Sequence, residues 1–146
     1  LTRQNVPLLS AAADLGRQAA RGAYVLHKTR PTAPSMLIVA TGSEVQLAMK
    51  VAAGLDESVW VISMPCWELF EQQNKDYQNE VLPPACARRV SIEAGITLGW
   101  ERHVGGNGLM IGINHFGDSA PMQDLEKHYG FTPDAVIKRI RGHRFS

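Results

Sequence analysis

The sequence is poor in cysteine, has no long apolar run, and lacks an excess of either charge. Its two cysteines, Cys66 and Cys86, are separated by nineteen residues. No C-x-x-C pair and no histidine at zinc-ligand spacing accompanies them, so they read as reduced, half-buried thiols rather than a disulfide or a metal site. No stretch approaches the roughly 18 to 20 consecutive apolar residues of a membrane helix, and no charged-then-apolar leader is visible. The expectation is a cytoplasmic protein without a membrane partner. A formal net charge of +1 argues against a general nucleic-acid binder, which carries a clustered basic excess. The one local excess, Lys138, Arg139, Arg141, His143 and Arg144, reads as a solvated helix end with cations at the negative pole of the helix dipole.

What is present is an ordinary globular composition, 45% hydrophobic and 20% charged over 146 residues. That length suffices for one domain with one core. Met36 to Thr41, "MLIVAT", is a continuous apolar run that predicts a strand buried on both faces. Gly42 then makes a tight turn, and "SEVQLAMKVAAGL" has the spacing of an amphipathic helix with Ser43 as its cap. "VWVISMP", Val59 to Pro65, predicts a second buried strand stopped by its proline. Together these form a βαβ unit and so a parallel sheet.

Two short helical segments, "CWELFEQQ" and "KDYQNEVL", follow and end at Pro83 and Pro84. "RRVSIEAG" (Arg88 to Gly95) and "GLMIGINHFG" (Gly108 to Gly117) read as further strands, the glycines of the second marking close backbone approach. "MQDLEKHYG" and "TPDAVIKRIRG" read as helices. Thr132 is the N-cap of the second, Pro133 its first residue, and Ala135, Val136, Ile137 and Ile140 its buried face. "GAYVLHK", Gly22 to Lys28, adds a strand near the front. No internal repeat is found. The expected fold is α/β, a three-layer open sandwich with about five mostly parallel strands and helices on both faces.

Chemistry is harder to find. "ATGSEV" leads a strand into a helix N-terminus and so offers N–H donors to an anion, but it lacks a dinucleotide fingerprint and a P-loop lysine. A capping turn is the simpler reading. "GGNG", Gly105 to Gly108, reads as a surface turn. His103 lies near Glu93, Glu101 and Arg102 in sequence, yet nothing there fixes a partner for acid–base work. Trp60, Trp67 and Trp100 read as core or interface aromatics. No catalytic, cofactor-binding or metal-binding residue emerges from the residues themselves.

Several strings nevertheless occur together and in order: "LTRQNVP", "GAYVL", "LIVATGSEVQLAMKVAAGL", "VISMPCWELFEQQ", "YQNEVLPP", "RRVSIEAG", "GW", "IGINHFGDSAP" and "HYGFTPDAVI". Over Leu1 to about Ile140 the sequence resembles the final part of the transketolase family. Related thiamin enzymes, the pyruvate dehydrogenase beta subunit and deoxyxylulose-phosphate synthase, share that fold without "SMPCWELF" or "LTRQN". The resemblance implies that residues 1–21 are the end of a pyrimidine-binding domain and a linker. Residues 22–146 would be the C-terminal domain, and the chain a fragment of a longer protein; "LTRQNVP" indeed reads like the middle of something.

The resemblance further implies reversible transfer of a two-carbon ketol unit between sugar phosphates. That chemistry would use thiamin diphosphate with magnesium or calcium, in a cytoplasmic homodimer of the pentose phosphate pathway or the Calvin cycle. None of the cofactor would be bound by this fragment, which would be inactive alone. One site residue is implied, Arg3 of "LTRQN", for the terminal phosphate of the sugar; a guanidinium offers paired donors and a permanent charge. The domain itself would pack on the middle domain and the partner subunit, with Met64, Trp67 and Phe70 as an apolar patch. Two other readings compete: a stand-alone module that binds a nucleotide or sugar phosphate near Ser43 at the carboxyl edge of the sheet, and a pure dimerisation domain.

Overall fold

A computed structural model describes residues 14–115 and 121–145. The described chain starts with a short helix, α1 (Leu15–Ala19), and strand β1 (Tyr24–Lys28). Then come β2 (Met36–Ala40), α2 (Glu44–Ala53), β3 (Val59–Ser63), α3 (Trp67–Glu71), α4 (Lys75–Val81), β4 (Arg89–Ile92), α5 (Glu101–Val104), β5 (Leu109–Ile111), α6 (Met122–Tyr129) and α7 (Pro133–Gly142). The five strands form one sheet in the order β1-β3-β2-β4-β5. β2 pairs parallel with β3 and β4, and β4 parallel with β5. β1 alone is antiparallel, against β3, with a register shift between Val25 and His27.

The pattern of side chains explains this order. All five residues of β2 are buried, as a central strand covered on both faces requires. β1 ends in exposed His27 and Lys28, and such charged, bulged ends suit an edge. Because successive strand residues point to opposite faces, Met36, Ile38 and Ala40 face one core with α2 and α7, while Leu37 and Val39 face another with α3, α4 and Trp100. The expected three layers are therefore present. Thr132 caps α7 by accepting from the Ala135 N–H at 3.4 Å, and Asn74 caps α4 by accepting from Tyr77 N–H at 2.9 Å.

Two glycines are dictated by close approach. A Cβ on Gly112 would sit 2.6 Å from the Gly95 carbonyl oxygen and from Thr97 Cγ2, which is the crowding expected of the glycines around β5. Gly22 has φ +88° and lies flat against the backbone of α3, where a Cβ would collide with Phe70 N and the Cys66 carbonyl. Cys66 N–H donates to the Gly22 carbonyl at 3.1 Å. Beside it the Arg21 guanidinium stacks 3.1 Å over the Tyr77 ring, and the Tyr77 hydroxyl donates to the Ala23 carbonyl at 2.8 Å. The chain thus enters the sheet through a fixed bend.

Two expectations need correction. Ser43 precedes α2 but makes no capping bond, because its dihedrals (φ −65°, ψ −28°) are already helical. A capping hydroxyl needs the extended conformation to reach back to the free N–H groups. The Ser43 hydroxyl donates instead to Glu44 at 2.8 Å. Met64 and Phe70 form no surface patch, since they are 1% and 3% exposed and belong to the core under α3 and α4. The exposed large apolar side chains among the described residues are Leu69, Ile96 and Leu98.

Candidate functional site

The helices on the α3, α4 and α5 side of the sheet are short, with five, seven and four residues. α3, α4 and α5 together with the start of β4 enclose a cleft of about 300 Å³, lined in part by Glu71, Lys75, Asn79, Arg89, Arg102 and His103. That volume is at the small end of the range for ligand pockets. Its inner wall is His103, 4% exposed. The imidazole stands among Trp67, Trp100 and Phe70, with ring centroids 5.4, 6.0 and 6.2 Å away. Burial in this aromatic surround holds its pKa below the ordinary histidine range; Glu71 opposes that shift, while Arg102 and Arg89 add to it.

His103 Nε2 has no hydrogen-bond partner, and the nearest carboxylate oxygen, Glu71 Oε1, lies 3.8 Å away. Glu71 is held by Arg102, whose Nη1 donates to Oε1 at 3.1 Å. Behind them Arg89 donates to the carbonyls of Cys86, His103, Leu82 and Pro83. It forms no ion pair among the described residues, and burial lowers its pKa. Lys75 donates to Gln78 at 2.9 Å.

The residues singled out in the sequence are distributed differently. Arg3 and the rest of "LTRQN" lie outside the described residues, as do Phe116 to Ala120 of "FGDSAP". Glu93 and Glu101 do not reach His103. Glu93 accepts from Trp100 Nε1 at 2.6 Å, and Glu101 accepts from Gly99 N–H at 2.8 Å, so each braces its own loop. Gly42 (φ +57°) opens on free space at the end of β2, and "GGNG" is a surface turn closed by Gly108 N–H to the Gly105 carbonyl. Cys66 and Cys86 are free thiols; burial pushes the Cys86 thiol up. In the basic tail, Arg139 donates to the Met110 carbonyl at 3.4 Å and His143 pairs with the Asn107 carbonyl at 3.0 Å.

Glu71, Lys75 and Arg89 were not marked by the sequence, because they come from three separate elements that only the fold brings to His103. Among the described residues no three His, Cys, Asp or Glu side chains lie together as metal ligands, so these residues do not fit a divalent cation. No described helix is long and apolar enough to cross a membrane.

Residues 22–132 match the family described as "Transketolase-like TK C-terminal domain". The chain is similar to a transketolase of Geobacillus stearothermophilus, 48% identical over 145 residues that make up 97% of this chain and 22% of that protein. It is also similar to a transketolase of Mycobacterium leprae (strain TN), 46% identical over 94% of this chain and 20% of the relative. A solved structure, transketolase from Leishmania mexicana, superposes with a TM-score of 0.84 at 36% identity, covering 97% of this chain and 20% of that one. The chain thus spans about a fifth of the length of the relatives it matches. On these matches, and on the three-layer sheet that carries them, the chain belongs to the transketolase family and holds its C-terminal domain.

Proposed function

We propose that this chain serves as the C-terminal domain of a thiamin-diphosphate enzyme that reversibly transfers a two-carbon ketol unit between sugar phosphates. The observation that carries the reading is the alignment with named transketolases over 97% of this chain but 22% of the relative. Thiamin diphosphate and its magnesium or calcium would be held by the remaining domains. The cofactor supplies the carbanion chemistry, and this chain's residues supply packing. Exposed Leu69, Ile96 and Leu98 are the apolar side chains offered to a neighbouring domain or to the partner subunit of a cytoplasmic homodimer.

Residues 1–21 are assigned to the end of the middle domain and its linker. The family match begins at residue 22, and Gly22 is where the chain docks onto α3. Arg3 is assigned to the sugar phosphate, as a bidentate donor to its oxygens.

The test compares the 146-residue chain with the same chain joined to the two preceding domains of a transketolase, in a coupled ketol-transfer assay with thiamin diphosphate and magnesium. Turnover is expected only from the joined protein. There Arg3→Ala should raise KM for the phosphorylated sugar by roughly tenfold or more, since a charge-assisted pair is lost, with a smaller change in kcat. Comparable turnover by the 146-residue chain alone overturns the proposal.

A further inference from the structure

Two polar groups with unmet electrostatic requirements converge on the cleft between α3, α4 and α5. The first is His103 Nε2, buried without a hydrogen-bond partner, although buried polar atoms in folded proteins are nearly always paired. The second is Arg89, a half-buried guanidinium whose four hydrogen bonds all go to neutral carbonyls. Buried charges are normally paired, and the described ion pairs leave Arg89 out. Lys75 and Arg102 line the same cleft, against Glu71 as its one carboxylate. Three cations therefore face one anion around an unpartnered ring nitrogen.

From this we infer that the cleft is a binding site for a small oxyanion, a phosphate group either free or borne by a small ester. Lys75 Nζ has hydrogens beyond the one given to Gln78, and Arg102 has donors beyond the Nη1–H given to Glu71. Both supply charge-assisted bonds to the anion, which are about twice as strong as neutral ones. His103 Nε2–H closes the site from inside, after a small movement of the Glu71 carboxylate that now stands 3.8 Å from it. Arg89 acts chiefly through its field, because four of its five N–H donors are already engaged. Glu71 is the unfavourable neighbour, and its pairing with Arg102 limits the repulsion. None of this depends on the ketol-transfer reading.

The experiment is an NMR titration of the histidine ring protons of the 146-residue chain with inorganic phosphate, into the tens of millimolar at constant ionic strength. A saturating shift is expected at His103 and not at the other four histidines. Lys75→Met and Arg102→Gln should each weaken it about fivefold or more, equivalent to one lost contact of about 1 kcal/mol, with far-UV circular dichroism unchanged. Lys138→Met, on the far side at α7, should leave it intact. A second titration with glycerol 3-phosphate separates the sources: tighter binding assigns the site to an ester, equal binding to the free ion. A non-saturating response, equal shifts at all five histidines, or undiminished binding in both Lys75→Met and Arg102→Gln overturns the assignment.

Discussion

The two faces of the sheet are built from different chemistry. Under α2 and α7 the core is aliphatic: Met36, Ile38, Val45, Val51, Val59, Val61, Val90, Ile92, Val136 and Ile140, with Phe131 at its margin. Under α3, α4 and α5 it contains Phe70, Tyr77, Trp100 and Cys86, with Trp60 and Trp67 packed against it, and it borders the buried imidazole of His103. The first face is sealed by two ten-residue helices. The second is covered by helices of five, seven and four residues, whose many ends bring backbone carbonyls and charged side chains inward. Longer helices cover a core; shorter ones leave a cleft in it.

Neighbouring residues of β2 give the strongest way to break this contrast. Ile38→Ala empties the aliphatic core and Leu37→Ala the aromatic one, and both positions are fully buried. Each should cost roughly 3 kcal/mol in urea unfolding. The contrast predicts a larger loss for Ile38, where branched chains hold their rotamers, than for Leu37, where aromatic rings and a thiol can resettle. Equal losses would mean that the two cores are equally rigid.

Next in size is Trp100→Phe, which keeps one six-membered ring but removes the five-membered ring, its buried volume and the bond from Nε1–H to Glu93. The stability loss should be about 2 kcal/mol, of which the bond to a charged group accounts for about 1.5 kcal/mol and the emptied volume for the rest. On the other face, Thr132→Ala removes the cap of α7 and should cost about 1 kcal/mol by the same measurement.

The smallest effect at neutral pH is that of His103→Phe, which replaces a buried unpaired nitrogen by carbon and should be neutral or slightly stabilising. Its value lies in the pH profile. The folded-state pKa of His103 is lowered, chiefly by burial. As pH falls through the ordinary imidazole range the unfolded chain takes up a proton that the folded chain resists, so stability present above that range is lost below it. Unfolding followed from neutral to mildly acidic pH should show this loss in the wild type and a flatter profile in His103→Phe. Identical slopes would show that the imidazole is not held neutral.

The aliphatic face was the more legible in sequence, for a physical reason. "MLIVAT" and "SEVQLAMKVAAGL" carry unbroken period signals, and Thr132-Pro133 is a local helix start, so each could be read without knowing what packs on it. The glycines around β5 were legible because crowding leaves few alternatives. Ser43 was misjudged as a cap, since the turn at Gly42 (φ +57°) brings the chain into helical dihedrals one residue early. Met64 and Phe70 look identical in sequence whether buried or exposed, and the packing of α3 decided it. The antiparallel direction of β1 also depends on its partner rather than on "GAYVLHK". The cleft was the least legible feature, since Glu71, Lys75, Arg89 and His103 lie on four elements spread over 33 positions of the chain. The family, by contrast, could be recognised from strings alone, because such strings record positions without requiring their geometry.

The bend at Gly22 has a mechanical meaning. The stacked Arg21, the Tyr77 hydroxyl and the bond from Cys66 make it a welded elbow rather than a swivel, so a torque on the segment before it is delivered to α3. Glu71 is the last residue of that helix. The entry segment and the carboxylate that faces His103 are thus carried on one fixed piece of the fold.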